Sequence, residues 1–427
     1  MNNKFIERSD LKLGEKYYQI KHESGLDIIV FPKKMTLKIA LLGVKFGSAH
    51  EEGAMVDGVA KSFPAGVAHF LEHKLFSNED GVDAFEILAK LGADANAYTS
   101  NNKTVYMFSC TENFEKSLEE LINFVYSPYF TKANVKSEQG IISQEIKMCL
   151  DSPYDVVSQN LLMALYGDCK LSTDVLGTQK TIKRITDKTL YDCYNSFYRY
   201  SNMALVVSGD VDPISVLEVV NKSLPEKQEE KKAPTLPIIN TDIKVALPYI
   251  ERKMKVAVPV FEIGIKDKMP NADASLRHKR DVAMTILDEM IFSRAGELYN
   301  GLFEGGFINE SYSYGYSITR EAAFHSIYAE GNDPNLVLDK IKSYIEKLKQ
   351  NGLSKRDFIR CKRVMMAEFI RDFDSVDDIA NATLNFHFEG SDIFAYRKII
   401  EKTTFEDVCA CLNDSFDECS YALSVVR

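Results

Sequence analysis

The stretch His69-Phe70-Leu71-Glu72-His73 governs how the rest of this chain is interpreted. In a helix the two histidines lie one turn apart on the same face, and the glutamate lies beside them. Both imidazoles can then bind one metal ion while the carboxylate stays next to it. This H-x-x-E-H order is a signature of zinc-dependent hydrolysis. We therefore predict a metal-binding helix here, with His69 and His73 as ligands.

A third ligand must come from another segment, because catalytic zinc usually has three protein ligands and one open position. Residues 137–146, which read SEQGIISQEI, offer Glu138 and Glu145. These acids are seven residues apart, which is two helical turns, and so share a face. We predict Glu145 as the third ligand and Glu138 as an auxiliary acid that orients the ligands. A structural zinc is the alternative, but it usually needs a cysteine, and none lies near the motif.

Glu72 is the predicted general base. It would accept a proton from the attacking water and later pass it to the leaving amine, which requires that it does not bind the metal. The alternative is a surface helix with two histidines and ordinary carboxylates. The order and spacing of the separate elements disfavour that alternative.

The segments GVAHFLEHKLF, NAYTS and EQGIISQEI, which begin at residues 66, 96 and 138, resemble the pitrilysin/insulinase family of inverted zinc peptidases. The similarity is greatest to a short bacterial branch related to the processing peptidases. In that family a glutamate some seventy residues after the second histidine is the third ligand, and Glu145 follows His73 by 72. The resemblance implies a zinc endopeptidase with one Zn²⁺ per chain.

Residues 92–100, with 104–108, resemble the edge strand with which family members bind the substrate backbone. The resemblance implies a substrate-binding role for four residues of this strand: Ala95, Asn96, Ala97 and Thr99. Such backbone pairing tolerates many sequences. Asn96 is the candidate for holding the substrate main chain, with an ordinary strand-end asparagine as the alternative. Phe70 and Phe76 could line a side-chain pocket, although core packing is the favoured interpretation.

The second half of the chain departs from the family pattern. Relatives usually offer an arginine and, several residues later, a tyrosine that reach the substrate and the oxyanion. Here the arginine position holds Phe303 or Glu304, and no tyrosine follows at the matching offset. Possible substitutes are Tyr312, Tyr314, Tyr316 and Arg320. Alternating tyrosines are also typical of a half-exposed strand, which is the favoured interpretation.

Composition and patterning predict two similar α+β domains. The segment 225–238 has three prolines and many charges, which is typical of a linker. It separates a zinc-binding domain, residues 1–224, from a second domain, residues 239–427. Each half shows strands, then helices, then a closing strand at 204–211 or 421–426. The resemblance implies that each half is a mainly antiparallel sheet backed by helices, and that the halves form a clam-like chamber.

Bulk properties narrow the location and the partners. The net charge of −10 weighs against nucleic acid as a partner. Eight scattered cysteines and no signal-like or membrane-spanning apolar stretch predict a cytoplasmic protein with reduced thiols. Because the arginine and tyrosine are missing, we expect a dimer, formed either by two copies of this chain or with a non-identical partner subunit that supplies them. The alternatives are a non-catalytic peptide-binding subunit and a dedicated maturase of one peptide or protein.

Overall fold

A computed structural model describes residues 5–79, 81–225, 231–237, 242–268 and 273–427. Its strands are β1 (Ile6–Asp10), β2 (Glu15–Lys21), β3 (Asp27–Pro32), β4 (Lys38–Val44), β5 (Glu52–Val56), β6 (Val59–Ser62), β7 (Ala93–Thr99), β8 (Thr104–Cys110), β9 (Met203–Gly209), β10 (Tyr249–Arg252), β11 (Val260–Lys266), β12 (Ser313–Ile318), β13 (Ala323–Glu330) and β14 (Tyr421–Val426).

The α-helices of the described residues are α1 (Val67–Leu75), α2 (Ala84–Lys90), α3 (Phe114–Tyr126), α4 (Lys132–Asp151), α5 (Pro153–Tyr166), α6 (Gln179–Ile182), α7 (Asp187–Phe197), α8 (Pro213–Ser223), α9 (Ala274–Phe292), α10 (Glu297–Glu304), α11 (Pro334–Asn351), α12 (Lys355–Arg371), α13 (Val376–Phe388), α14 (Ile393–Lys402) and α15 (Phe405–Asp414).

The strands form two main sheets with related connectivity. The first has the order β1-β2-β3-β9-β4-β8-β7, and the second has the order β10-β14-β11-β13-β12. In each sheet the closing strand, β9 or β14, pairs parallel with one neighbour and antiparallel with the other. All other pairs in the two sheets are antiparallel. The predicted α+β class, with two sheet-containing halves, is confirmed.

The chain divides into two compact units that each take a helix from the opposite part of the sequence. The first unit contains residues 1–146, 174–237 and 370–394, so it includes α13. The second contains residues 147–173, 238–369 and 395–427, so it includes α5. The domain boundaries drawn from the sequence remain a prediction.

In each unit, a glycine in a central strand of the sheet allows the helix α13 or α5 to approach the strand closely. A Cβ on Gly43 of β4 would lie 2.9 Å from the Leu384 side chain of α13. A Cβ on Gly264 of β11 would lie 2.7 Å from Leu161 of α5. Because glycine has no side chain, the helix can pack directly on the strand backbone. The opposite face of β4 presents Ala40 and Leu42 to the main core of the first unit.

Several predicted elements need correction. The helical pattern of the sequence predicts one helix over residues 283–302, but α9 ends at Phe292, and α10 begins only after Gly296. The strand-like composition of residues 254–265 predicts one strand, but β11 begins at Val260, directly after Pro259, which has no N–H to donate to a sheet. Part of the predicted linker, residues 226–230 and 238, lies outside the described residues. Within its described part, Thr235 pairs with Met55 of β5 through two backbone hydrogen bonds.

Candidate active site

The metal-binding helix α1 begins at a glycine and is capped from a distance. Gly66 precedes the helix with a φ of 91°, and a Cβ there would lie 2.5 Å from the Leu176 carbonyl oxygen. The carboxylate of Glu51 accepts hydrogen bonds from the Gly66 and Ala68 N–H groups at 3.0 and 3.1 Å. Glu51 is fully buried, so its charge satisfies free N–H groups at the positive end of the helix dipole.

The two histidines of α1 face one carboxylate on α4. His69 Nε2 lies 3.6 Å from Glu145 Oε1, and His73 Nε2 lies 3.7 Å from Glu145 Oε2. The two imidazole centroids are 4.5 Å apart. These N–O separations are too long for hydrogen bonds. They are close to the roughly 3.4 Å expected between two donors on one tetrahedral zinc, given bond lengths of about 2.0–2.2 Å.

Glu138 lies on the same face of α4 as Glu145 and forms a hydrogen bond with the other ring nitrogen of His73. His73 Nδ1 lies 3.0 Å from Glu138 Oε1, and Lys74 Nζ lies 3.4 Å from Glu138 Oε2. If Nδ1 carries the proton and donates to Glu138, Nε2 presents its lone pair towards Glu145. Lys74 is 3% exposed, and it also donates to Ser77 at 2.9 Å.

Glu72 lies beside the histidines but has its own partner. One ligand atom from each of His69, Glu72 and His73 lies within 4.8 Å of the others. The Thr99 hydroxyl, at the end of β7, donates to Glu72 Oε2 at 2.6 Å. Glu72 is therefore close enough to receive a proton from a water between the histidines, while one of its oxygens is already bound.

The protonation states follow from burial and neighbouring charge. Burial, then the charge of His73, lowers the pKa of His69 to about 3, so this imidazole is neutral. Burial raises the pKa of Glu72 and of Glu145. Burial acts to lower the pKa of His73, but the hydrogen bond to Glu138 and the surrounding carboxylates outweigh it and raise that pKa. Below that raised pKa, metal binding displaces a proton from His73.

These side chains fit a zinc ion. Two imidazole nitrogens and a carboxylate oxygen form a donor set that zinc commonly takes. Glu145 Oε2 is buried and has no hydrogen-bond partner, as expected of an oxygen reserved for a cation. His69 Nδ1 is also buried without a hydrogen-bond partner. His69, His73 and Glu145 would hold the ion, and Glu72 would stay outside its ligands.

The predicted substrate-binding residues lie on an edge strand. Among the strands of the described residues, β7 is the last of the first sheet and pairs with β8 alone, so its outer edge is open to another strand. Ala95 and Ala97 pack against the core, on the side that α1 covers. Asn96 is exposed, and its Oδ1 accepts a hydrogen bond from the Ala97 N–H at 2.8 Å.

Phe70 and Phe76 do not line a pocket at the metal. Phe70 is fully buried, and Phe76 is stacked between Phe85 and Phe124, with centroids 4.0 and 4.9 Å away. Both belong to the core that supports α1, which agrees with the favoured interpretation.

The tyrosines of the second half are engaged within the second unit. The Tyr312 hydroxyl donates to the Phe292 carbonyl at 2.9 Å, that of Tyr314 to Glu289 at 2.6 Å, and that of Tyr316 to Asp267 at 2.7 Å. Tyr314 and Tyr316 lie half-buried in β12, as expected of a half-exposed strand. Arg320, just after that strand, is half-buried.

Sequence reasoning missed two supporting residues. Glu51 was not recognised, although Pro64, Ala65 and Gly66, directly before α1, offer no side-chain oxygen, which indicates a cap from elsewhere. Lys74 directly follows the motif, but its partner Glu138 is 64 residues away, and nothing local reveals that pairing.

The fold and the site together define a class: an α+β protein with an inverted H-x-x-E-H helix and a glutamate from a second helix. Residues 35–179 match the family model described as insulinase (peptidase family M16). Residues 184–365 match the model described as the peptidase M16 inactive domain. The chain belongs to the M16 family of insulinase-like peptidases, and to its bacterial branch.

One relative, aligned over nearly its whole length, is named as a zinc protease, and a second is named as a peptidase subunit. The uncharacterized zinc protease YmfH of Bacillus subtilis is 34% identical over 408 residues, which are 93% of each chain. The mitochondrial-processing peptidase subunit beta of Bos taurus is 28% identical over 191 residues, which are 40% of this chain and 36% of that protein.

Two solved structures superimpose on nearly the whole of this chain. An M16-like peptidase from Alicyclobacillus acidocaldarius superimposes with a TM-score of 0.90 and 25% identity, covering 100% of this chain and 99% of the other. A protease from Helicobacter pylori gives a TM-score of 0.84 at 19% identity, covering 97% and 100%. At 19% identity, the similarity to the Helicobacter pylori protease shows a shared fold and nothing further.

Proposed function

We propose that this protein is a zinc-dependent endopeptidase that hydrolyses short, unfolded peptides. The observation that carries the proposal is the convergence of both histidine Nε2 atoms on Glu145, at 3.6 and 3.7 Å, with Glu72 alongside. A bound zinc would polarise the scissile carbonyl and acidify a water molecule. The relatives named as zinc proteases support the same activity.

The chain's own residues have distinct roles in this mechanism. His69, being neutral, and His73, once deprotonated, would hold the metal together with Glu145. Glu138 would keep the His73 ring in the required tautomer and orientation. Glu72 would take the water proton and deliver it to the leaving amine nitrogen. Burial raises the pKa of Glu72, which suits a group that must both accept and release a proton near neutral pH.

The open edge of β7 supports an extended peptide as the substrate. An unfolded segment would pair with the backbone along Ala95, Asn96 and Ala97, and this pairing selects for extended conformation more than for sequence. A folded protein seldom offers a free extended segment, so folded substrates should be spared.

We further propose that a second, non-identical M16-like subunit completes the site. The support is the engagement of the hydroxyls of Tyr312, Tyr314 and Tyr316 within their own unit, together with Phe303 and Glu304 at the arginine position. Because an oxyanion donor contributes about 2.7–4 kcal/mol, an enzyme rarely lacks one. The mitochondrial-processing relative is named as a subunit, which agrees with this arrangement. Non-catalytic peptide binding and maturation of one dedicated partner are the competing functions.

None of the eight cysteines, all of which lie among the described residues, forms a disulfide, which supports a reducing compartment, and we propose the cytoplasm. Among the described residues, no helix combines the length and the apolar character needed to cross a membrane.

The test is cleavage of a quenched fluorescent peptide library by the zinc-loaded chain, alone and co-expressed with an M16-like protein that lacks H-x-x-E-H. Cleavage that is absent in Glu72→Gln supports the peptidase. A large increase in turnover with the second protein supports the two-subunit form, whereas full activity of the isolated chain contradicts it. Stoichiometric zinc without cleavage under either condition would favour a binding role.

A further inference from the structure

Thr99, the last residue of β7, directs its side chain to the general base Glu72 and not to the open edge of the sheet. Side chains of a strand alternate between the two faces, so Ala95, Ala97 and Thr99 share one face, and Asn96 and Tyr98 share the other. Ala95 and Ala97 pack against the core beneath α1, and the Thr99 hydroxyl reaches Glu72. The Tyr98 hydroxyl instead donates to Asn381 of α13 at 3.2 Å.

The direction of the Thr99 hydrogen bond is fixed by the neighbouring groups. A carboxylate oxygen accepts, so the hydroxyl must donate its single proton to Glu72 Oε2. Thr104, directly opposite in β8, lies 3.4 Å away but directs its own proton to the Phe46 carbonyl oxygen at 3.0 Å. The 2.6 Å separation between Thr99 and Glu72 is typical of a charge-assisted O–H···O⁻ bond.

We propose that Thr99 is a positioning residue that fixes the carboxylate rotation of Glu72. With Oε2 held by the Thr99 hydroxyl, Oε1 is the oxygen left to accept the water proton. This role differs from the substrate contact that the family resemblance implies for Thr99, and it rests on the proposed function of Glu72. It also ties the base to the strand along which the peptide would bind, because Thr99 is the last residue of β7.

The first test compares kinetics of the holoenzyme, in the subunit state found active, with those of three variants. Thr99→Val keeps the shape but removes the hydroxyl, Thr99→Ser restores it, and Tyr98→Phe removes the neighbouring hydroxyl on the other face. We expect Thr99→Val to lower kcat by about tenfold or more with KM nearly unchanged, since a hydrogen bond to a charge is lost. Thr99→Ser should recover most of kcat, and Tyr98→Phe should match the wild type. A rise in KM with unchanged kcat would overturn the proposal in favour of substrate contact.

A second measurement does not depend on activity. Carbon-13 labelling of glutamate side chains, with Glu72→Gln to assign the signal, reports the environment of the Glu72 carboxyl in the metal-free chain. The resonance should shift in Thr99→Val and stay near its wild-type position in Thr99→Ser and Tyr98→Phe. An unchanged resonance in Thr99→Val overturns the proposal. If no peptide is cleaved, the peptidase proposal fails by the kinetic arm while this arm still decides the role of Thr99.

Discussion

Removing the acid that orients His73 should weaken zinc binding without removing a ligand. Glu138 holds His73 Nδ1 at 3.0 Å, so Glu138→Gln replaces a charged acceptor by a neutral one of the same shape, and Glu138→Ala removes it. Changes to groups that orient a metal ligand typically cost about 10–100-fold in metal affinity. We expect about tenfold for the glutamine variant and close to a hundredfold for alanine, which correspond to about 1.4 and 2.7 kcal/mol.

The assay is competition for zinc with a chromophoric chelator, at fixed pH and at a temperature where each variant is folded. Lys74→Met is the matched control, because Lys74 Nζ lies 3.4 Å from the oxygen of Glu138 that does not face the His73 ring. It should bind zinc almost as the wild type does. The reasoning is refuted if Glu138→Gln keeps wild-type affinity, or if Lys74→Met loses as much affinity as Glu138→Ala.

Four further outcomes can be checked. Zinc affinity should fall about tenfold per pH unit once the pH drops below the raised pKa of His73, because each ion bound then displaces a proton; a pH-independent affinity down to pH 6 would contradict this. Glu72→Gln should abolish peptide cleavage while binding stoichiometric zinc by metal analysis, and loss of the metal as well would make Glu72 a ligand. Asp267→Asn should destabilise the chain by about 3 kcal/mol in urea unfolding, because Asp267 is buried and holds Arg280 at 2.6 and 2.7 Å. Burial acts to raise the pKa of Asp267, but Arg280 outweighs it and lowers that pKa below 3.8, so this stabilisation is present above about pH 4 and is lost as the pH falls through the lowered value. Gly140→Ala, on an exposed turn of α4 with no atom near the added carbon, should stabilise by about 0.5–1 kcal/mol, whereas Gly264→Val should destabilise by clashing with Leu161.

The metal site was predictable because its chemistry is local in sequence. The spacing of His69, Glu72 and His73 alone places three functional groups on one side of a helix, whatever surrounds it. The two-turn spacing of Glu138 and Glu145 did the same for the second helix. That these two helices meet, with Glu145 facing both histidines, was expected from the family resemblance and from the usual need for a third ligand.

The class of each half was also accessible from the sequence. Short apolar runs identified the closing strands β9 and β14, which are buried on both faces. The predicted element boundaries were wrong where a single residue controls the backbone conformation. Pro259 delays a strand because it lacks an N–H, and Gly296 separates two helices that the apolar pattern joins.

Only the tertiary structure assigned the long-range partners. The cap that Glu51 provides for α1, the contact of Lys74 with Glu138 and the bond from Thr99 to Glu72 join residues 15 to 64 positions apart. Likewise, α5 packs in the second unit and α13 in the first. A sequence pattern reports which face of an element is apolar, but not which of several apolar faces will cover it. Which elements pack together depends on the shape of their surfaces. At Gly43 and Gly264, for example, the missing side chain lets a helix pack directly on the strand backbone.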